Sequence, residues 1–131
     1  TRRVLLPFWN AYSFFATYAS IDQWDPEVDS QHGTDALDQW ILLRLSELIQ
    51  SIDEHMSSYQ IAKVTPELVE FLDDLNNWYI RRSRRRFWNS DHQAYSTLYE
   101  VLTKTSQLLA PFAPFSAEFF SRFILNVSRV S

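Results

Sequence analysis

The chain has 131 residues, 46% of them hydrophobic and 16% aromatic, with a formal net charge of −4; that length fits one domain, 1–131, with one core. It has no cysteine and a single glycine, Gly33, which excludes disulfides, thiolate metal sites and the glycine-rich loops that cradle phosphates, and suits a cytoplasmic protein. No apolar run approaches the roughly 18–20 residues of a membrane span, and the basic start, Thr1-Arg2-Arg3, leads into a stretch interrupted by Trp, Asn, Tyr and Ser, unlike a signal peptide.

The 3.6-residue period predicts about five helices and no sheet, an all-α antiparallel helix bundle. The first covers about residues 2–20, with Leu5, Phe8, Trp9, Tyr12, Phe15, Ala16 and Ala19 on one stripe. Pro7 within it implies a kink or a start near that point. The polar stretch from Asp22 to Thr34 reads as a surface loop. A second helix covers about 35–57, capped by Thr34 or Asp35, with Ile41, Leu45, Leu48, Ile52 and Met56 inward.

The third segment has two possible starts. Thr65-Pro66-Glu67 is a good helix N-terminus, yet Ile61, Ala62 and Val64 could extend it upstream. Its stripe is Leu68, Phe71, Leu72 and Leu75, continued by Trp78 or Tyr79. Ser90-Asp91-His92-Gln93 is a capping-box pattern that starts a fourth helix near Asp91, with Tyr95, Leu98, Tyr99, Leu102 and Leu109 buried. Pro111 and Pro114 bracket a turn into a fifth helix near Phe115. The chain has no initiator Met and starts within a helical pattern, so an excised fragment of a larger protein is the expectation.

Candidate chemistry is sparse. His32, His55 and His92 are scattered and lack metal-ligand spacing. Asp73 and Asp74 point about 100° apart on a helix and do not make a proton-sharing pair; they are expected to balance the arginines further along the same helix. No catalytic constellation is expected, and no metal site.

One segment stands out. Five of the twelve basic residues lie between Arg81 and Arg86. On a helix, Asn77, Arg81, Arg84 and Arg85 fall at i, i+4, i+7 and i+8, one polar and strongly basic face, while Leu75, Trp78, Tyr79 and Arg82 lie toward the core. The plain reading is a solvated helix end whose charge suits the dipole. Aromatic interleaving and the use of Arg over Lys equally suit an RNA backbone.

The run Asn77-Trp78-Tyr79-Ile80-Arg81-Arg82-Ser83-Arg84-Arg85-Arg86-Phe87-Trp88 resembles a signature of isoleucyl-tRNA synthetases, class I enzymes, in the helical domain that follows their catalytic core. Leu5-Leu6-Pro7-Phe8-Trp9-Asn10-Ala11-Tyr12 is similar to that domain's first helix, and Asp38-Gln39-Trp40-Ile41-Leu42 to its second. Leu109-Ala110-Pro111-Phe112-Ala113-Pro114-Phe115 resembles the turn into its last helix. Gln39 departs from the pattern, which commonly has Arg or Lys there.

The resemblance implies a helical tRNA stem and anticodon-binding domain of a parent that uses ATP to attach isoleucine to its tRNA. ATP with Mg2+ and structural zinc would be handled elsewhere in the parent. The implied partners are an isoleucine-accepting tRNA and the catalytic domain of the same chain, with no membrane and no oligomer expected. The tRNA-binding residues would be Asn77, Arg81, Arg84 and Arg85. Two rivals remain: the corresponding domain of a valyl- or leucyl-tRNA synthetase, and a non-enzymatic helical module that binds RNA or protein.

Overall fold

The computed structural model describes residues 2–25 and 35–109, and these form four helical rods with no strand among them. They are α1 (Arg2–Asp22), α2 (Ala36–Ser57), a composite third rod and α5 (His92–Leu109). The composite rod joins α3 (Val64–Asp74), a π-helical segment (Leu75–Ile80) and α4 (Arg81–Trp88) without a break, and a 3-10 turn (Ile61–Lys63) precedes it. The chain is thus all-α. The turn at Pro111–Pro114, the fifth helix expected from Phe115 and His32 lie outside the described residues.

Local chemistry explains the ends. Asp35 caps α2 by accepting the Leu37 amide at 2.8 Å, which relieves one of the unpaired N–H groups of the first turn. Asp91 does the same for α5, accepting the Gln93 amide at 2.9 Å. Ser90 before it takes a left-handed φ of 59°, an uncommon conformation for a residue with a Cβ. Its hydroxyl donates to Asp22 Oδ1 at 3.0 Å, tying this turn to the end of α1. Of the two starts possible for the third rod, the upstream one holds, with helix from Val64 and Pro66 inside the first turn, where no intrahelical donor is lost.

The rods pack around one core. α2 and the composite rod are antiparallel: Arg44 meets Asp74, Ser51 meets Glu67, and Asp38 meets Arg86. α1 and α5 also oppose each other, with Phe15 beside Tyr99 and Trp24 beside Tyr95. The expectation of a wholly antiparallel bundle needs one correction. α1 runs in the same sense as the composite rod, since Pro7 meets Asn76 and Tyr18 meets Trp88. α1 and α2 each pack on the composite rod and on α5, so they face each other across the core.

In α1 and α2, two residues expected inward are exposed. Trp9 is 40% exposed, one position off the observed stripe of Val4, Phe8, Ala11, Tyr12, Phe15 and Ala19. Met56, in the last turn of α2, is 37% exposed, beyond Ile52. The side chain of Leu5 is outside the described set.

The π segment changes the phase of the third rod. Leu68, Phe71, Leu72 and Leu75 are buried before it, and Tyr79, Ile80, Ser83 and Phe87 after it. An uninterrupted α-helix would carry the inward stripe on to 78, 79, 82 and 86. The wider π turn moves that stripe on by one residue. The side chain of Asn76 sits at the shift, donating to Leu72 O at 3.0 Å and to Pro7 O at 3.1 Å; a side chain that takes a carbonyl of its own helix disturbs the regular ladder. Trp78 and Arg82, expected toward the core, are therefore exposed.

Leu72 is fully buried at the centre of this packing. Replacing it with Ala removes its contacts and leaves a cavity, a loss of roughly 2–5 kcal/mol, which urea unfolding followed by circular dichroism measures.

Candidate nucleic-acid interface

The five arginines between Arg81 and Arg86 fall into two classes. Arg86 is inward-leaning, with 17% of its side chain exposed, and Asp38 opposite it is fully buried. Arg86 Nη1 and Nη2 donate to Asp38 Oδ1 and Oδ2 at 2.8 and 2.7 Å, a bidentate pair. Arg86 Nε donates to Asp91 Oδ2 at 2.9 Å, and Tyr79 Oη donates to Asp38 Oδ1 at 2.6 Å. Asp35 lies 3.7 Å from the same guanidinium. One arginine thus serves the capping carboxylates of two helix N-termini and a buried acid between them.

The electrostatics follow from that geometry. Donating hydrogen bonds to Asp38 raises the already high pKa of Arg86 against the penalty of burial. For Asp91, burial raises the pKa, but the bonds and charge of Arg86 outweigh it and leave the carboxyl below its usual range. Burial, then the charge of Asp38, pushes the Tyr79 phenol well up, so it stays a donor. Burial and a bond to Asp22 do the same for Tyr95, and burial alone lifts Tyr12 to about 12.

Arg81, Arg82, Arg84 and Arg85 form the second class. All four are exposed, and no ion pair with a described residue holds them. Of the residues expected to bind RNA, Asn77 and Arg84 line one open groove of about 480 Å³ between α1 and the third rod, together with Asn10, Asp73 and Ile80. Arg81 and Arg85 are also on the surface. Asn77 donates to Asp73 Oδ1 at 2.6 Å. Asp74 pairs with Arg44 of α2 at 3.1 Å. The expected balance of Asp73 and Asp74 against the arginines of their own helix is therefore corrected: an amide and a neighbouring helix hold them.

Sequence reasoning missed two features. The first is the buried pair of Asp38 with Arg86. Its signal was present, because Asp38 stands on the apolar stripe of Ile41, Leu45, Leu48 and Ile52 one turn early, and an acid in such a place needs a buried partner. The second is the exposure of Trp78; Arg82, expected either to find a buried partner or to run along the rings with its head exposed, takes the latter course, its guanidinium carbon 4.4 Å from the centroid of that ring. Elsewhere, His55 Nδ1 lies 3.1 Å from Glu67, and no three His, Asp or Glu among the described residues converge as metal ligands would. No described helix is long and apolar enough to cross a membrane.

The sequence of the chain matches known proteins. A family described as the anticodon-binding domain of tRNA ligase matches residues 38–126. The chain is 46% identical over 122 residues to an isoleucine–tRNA ligase of Bdellovibrio bacteriovorus, covering 89% of this chain and 12% of the relative. It is 44% identical over 122 residues to one of Protochlamydia amoebophila, with the same coverage. It is 39% identical over 135 residues to one of Clostridium novyi, covering 98% of this chain and 13% of the relative. The chain spans about an eighth of the length of these relatives. It belongs to the anticodon-binding domain family of tRNA ligases.

The two classes of arginine should respond differently to substitution. Asp38→Ala takes the bidentate partner from Arg86, which keeps Asp91 on Nε, and removes the acceptor of the buried Tyr79 hydroxyl, and should cost about 3–5 kcal/mol. Arg84→Ala and Arg85→Ala should stay within about 0.5 kcal/mol of the parent. Chemical denaturation of the three variants tests this, and equal losses would mean that the exposed arginines brace the bundle.

Proposed function

We propose that this member of the family is the tRNA-binding domain of an isoleucine–tRNA ligase that uses ATP to attach isoleucine to its cognate tRNA. The carrying observation is the row of four exposed arginines on the third rod, in a chain of net charge −4. Negative charge over the rest of the surface repels RNA, so attraction must be concentrated where cations are unneutralised. Arg44 and Arg86 are occupied by carboxylates; the exposed row is not.

The row runs along a rod fixed by the Asp38–Arg86 pair at one end and by the packing of Leu68, Phe71 and Leu72 at the other. Guanidiniums on a rigid rod meet phosphates in a set order, with planar donors suited to paired oxygens. A-form stems offer phosphates and a shallow minor groove, so stem contact reads shape, and bases are read only where unstacked. Asn77, Arg81, Arg84 and Arg85 are the proposed contact residues. The helix expected from Phe115 would complete a bundle of about five helices of the class I synthetase type.

Chemistry belongs to other parts of the proposed parent. The described residues offer no converging metal ligands, and the single glycine rules out a glycine-rich phosphate loop within this chain. On the family resemblance, ATP with Mg2+ and structural zinc are assigned to the remainder of a cytoplasmic enzyme, with no oligomer expected. The identity to several isoleucine–tRNA ligases favours isoleucine over the valine and leucine readings.

In the complete protein carrying this chain, replacing Arg81, Arg84 and Arg85 together by Ala should raise the KM for tRNA at least tenfold and leave those for isoleucine and ATP nearly unchanged. Aminoacylation kinetics of the triple variant, with its fold checked by circular dichroism, provide the measurement. An unchanged tRNA KM removes the assigned role.

A further inference from the structure

The π segment turns an indole and a guanidinium outward together. Trp78 is 48% exposed, although an α-helical register would have pointed it inward. Arg82, one turn on, lays its guanidinium carbon 4.4 Å from the centroid of that ring. The stack covers part of the ring and holds it in place, while almost half the residue stays open to solvent. Arg81 and Arg85 are exposed on the same rod.

Large exposed aromatic surface is costly in water, and an ordered aromatic beside cations is what single-stranded nucleic acid uses. Bases stack on the ring or on a guanidinium plane, and flanking cations hold the backbone. A protein groove would instead call for apolar neighbours around Trp78. The residues before and after it are Asn77 and Tyr79, of which Asn77 is exposed and engaged with Asp73 and Tyr79 is wholly buried. One turn along the rod its neighbours are Asp74, paired with Arg44, the buried Leu75, and the exposed Arg81 and Arg82, so the surface beside the indole is polar with its unpaired charge positive.

We propose that Trp78 and Arg82 form a stacking platform for one unpaired base of the bound tRNA, with Arg81 and Arg85 holding the adjoining phosphates. This rests on the reading of the domain as tRNA-binding and adds a base contact that the backbone-binding arginines do not supply. The stack is already assembled without RNA, so little side-chain freedom is lost when a base lands on it.

The test uses the complete protein carrying this chain and isoleucine-accepting tRNA transcripts, each with a single abasic nucleotide at one unpaired loop position. Trp78→Ala should weaken binding of intact tRNA about tenfold, in line with the loss of one base–aromatic stack, and Trp78→Phe should keep most of the affinity. At one loop position, removing the base should weaken the parent protein but not Trp78→Ala, because base and ring act as a pair. Arg82→Ala should show the same coupling at the same position. If no unpaired position couples to Trp78, the platform is overturned. If Trp78→Ala instead raises the KM for isoleucine or ATP with tRNA affinity unchanged, the indole packs on another part of the protein and the proposal also falls. Loss of affinity in the triple arginine variant alone would leave the tRNA-binding reading standing without the platform; no loss in either variant would remove both.

Discussion

A fully buried carboxylate at the start of α2 constrains the rest of this bundle. Asp38 cannot stay charged in an apolar core unless its oxygens are filled, and Arg86 and Tyr79 fill them with three hydrogen bonds of 2.6–2.8 Å. That requirement fixes the end of the third rod against α2. Through Asp91 it also fixes where α5 begins. The turn between α4 and α5 is then bound to α1 by Ser90 and Asp22, and Tyr95 donates to Asp22 and to Tyr18 O from the first turn of α5. Four rods are thereby located by one polar corner, while the aromatic core supplies the bulk of the burial. A bidentate pair with a set geometry favours one register over its neighbours, which apolar contacts alone do less well.

The same corner separates structural from available charge. Arg86 belongs to the run of arginines in sequence but to the interior in space. Of the four other arginines of the run, Arg81, Arg84 and Arg85 face outward in either register, and Arg82 is outside because the π turn has rotated the rod by one position. Position along the chain therefore says little about role within this cluster. Role follows from the phase of the helix at each residue and from whether an acid waits opposite.

Much of the fold was legible in the sequence. The stripe of α2 as far as Ile52, that of α5, a cap at Asp35 and the start of α5 near Asp91 are local patterns that the structure follows, although the capping role expected of Ser90 falls to Asp91. The exposure of Arg81, Arg84 and Arg85 was legible too. The failures in the second half of the third rod share one cause. A single 3.6-residue phase was carried through Leu75–Ile80, where the backbone inserts an extra residue per turn. Trp78 and Arg82 were then assigned to the core and Ile80 was overlooked. No local residue pattern announces a π turn, because it depends on Asn76 reaching Pro7 of a helix 69 residues away. The pairing of Asp38 with Arg86 spans 48 residues and is equally non-local. Trp9 shows a milder form of the difficulty, since an amphipathic stripe broad enough to include it ends in a half-exposed edge.

Ionic strength acts unequally on the two sets of guanidiniums. At about 0.15 M salt the screening length is near 8 Å, and charges in water lose most of their reach beyond it, while a pair enclosed by protein is screened far less. The Asp38–Arg86 contact lies inside the corner; Arg81, Arg82, Arg84 and Arg85 stand in solvent. Rising salt therefore detaches a polyanion from the outer row well before it loosens the inner brace. Salt that silences the outer charges therefore leaves the inner brace, and with it the shape of the bundle, intact.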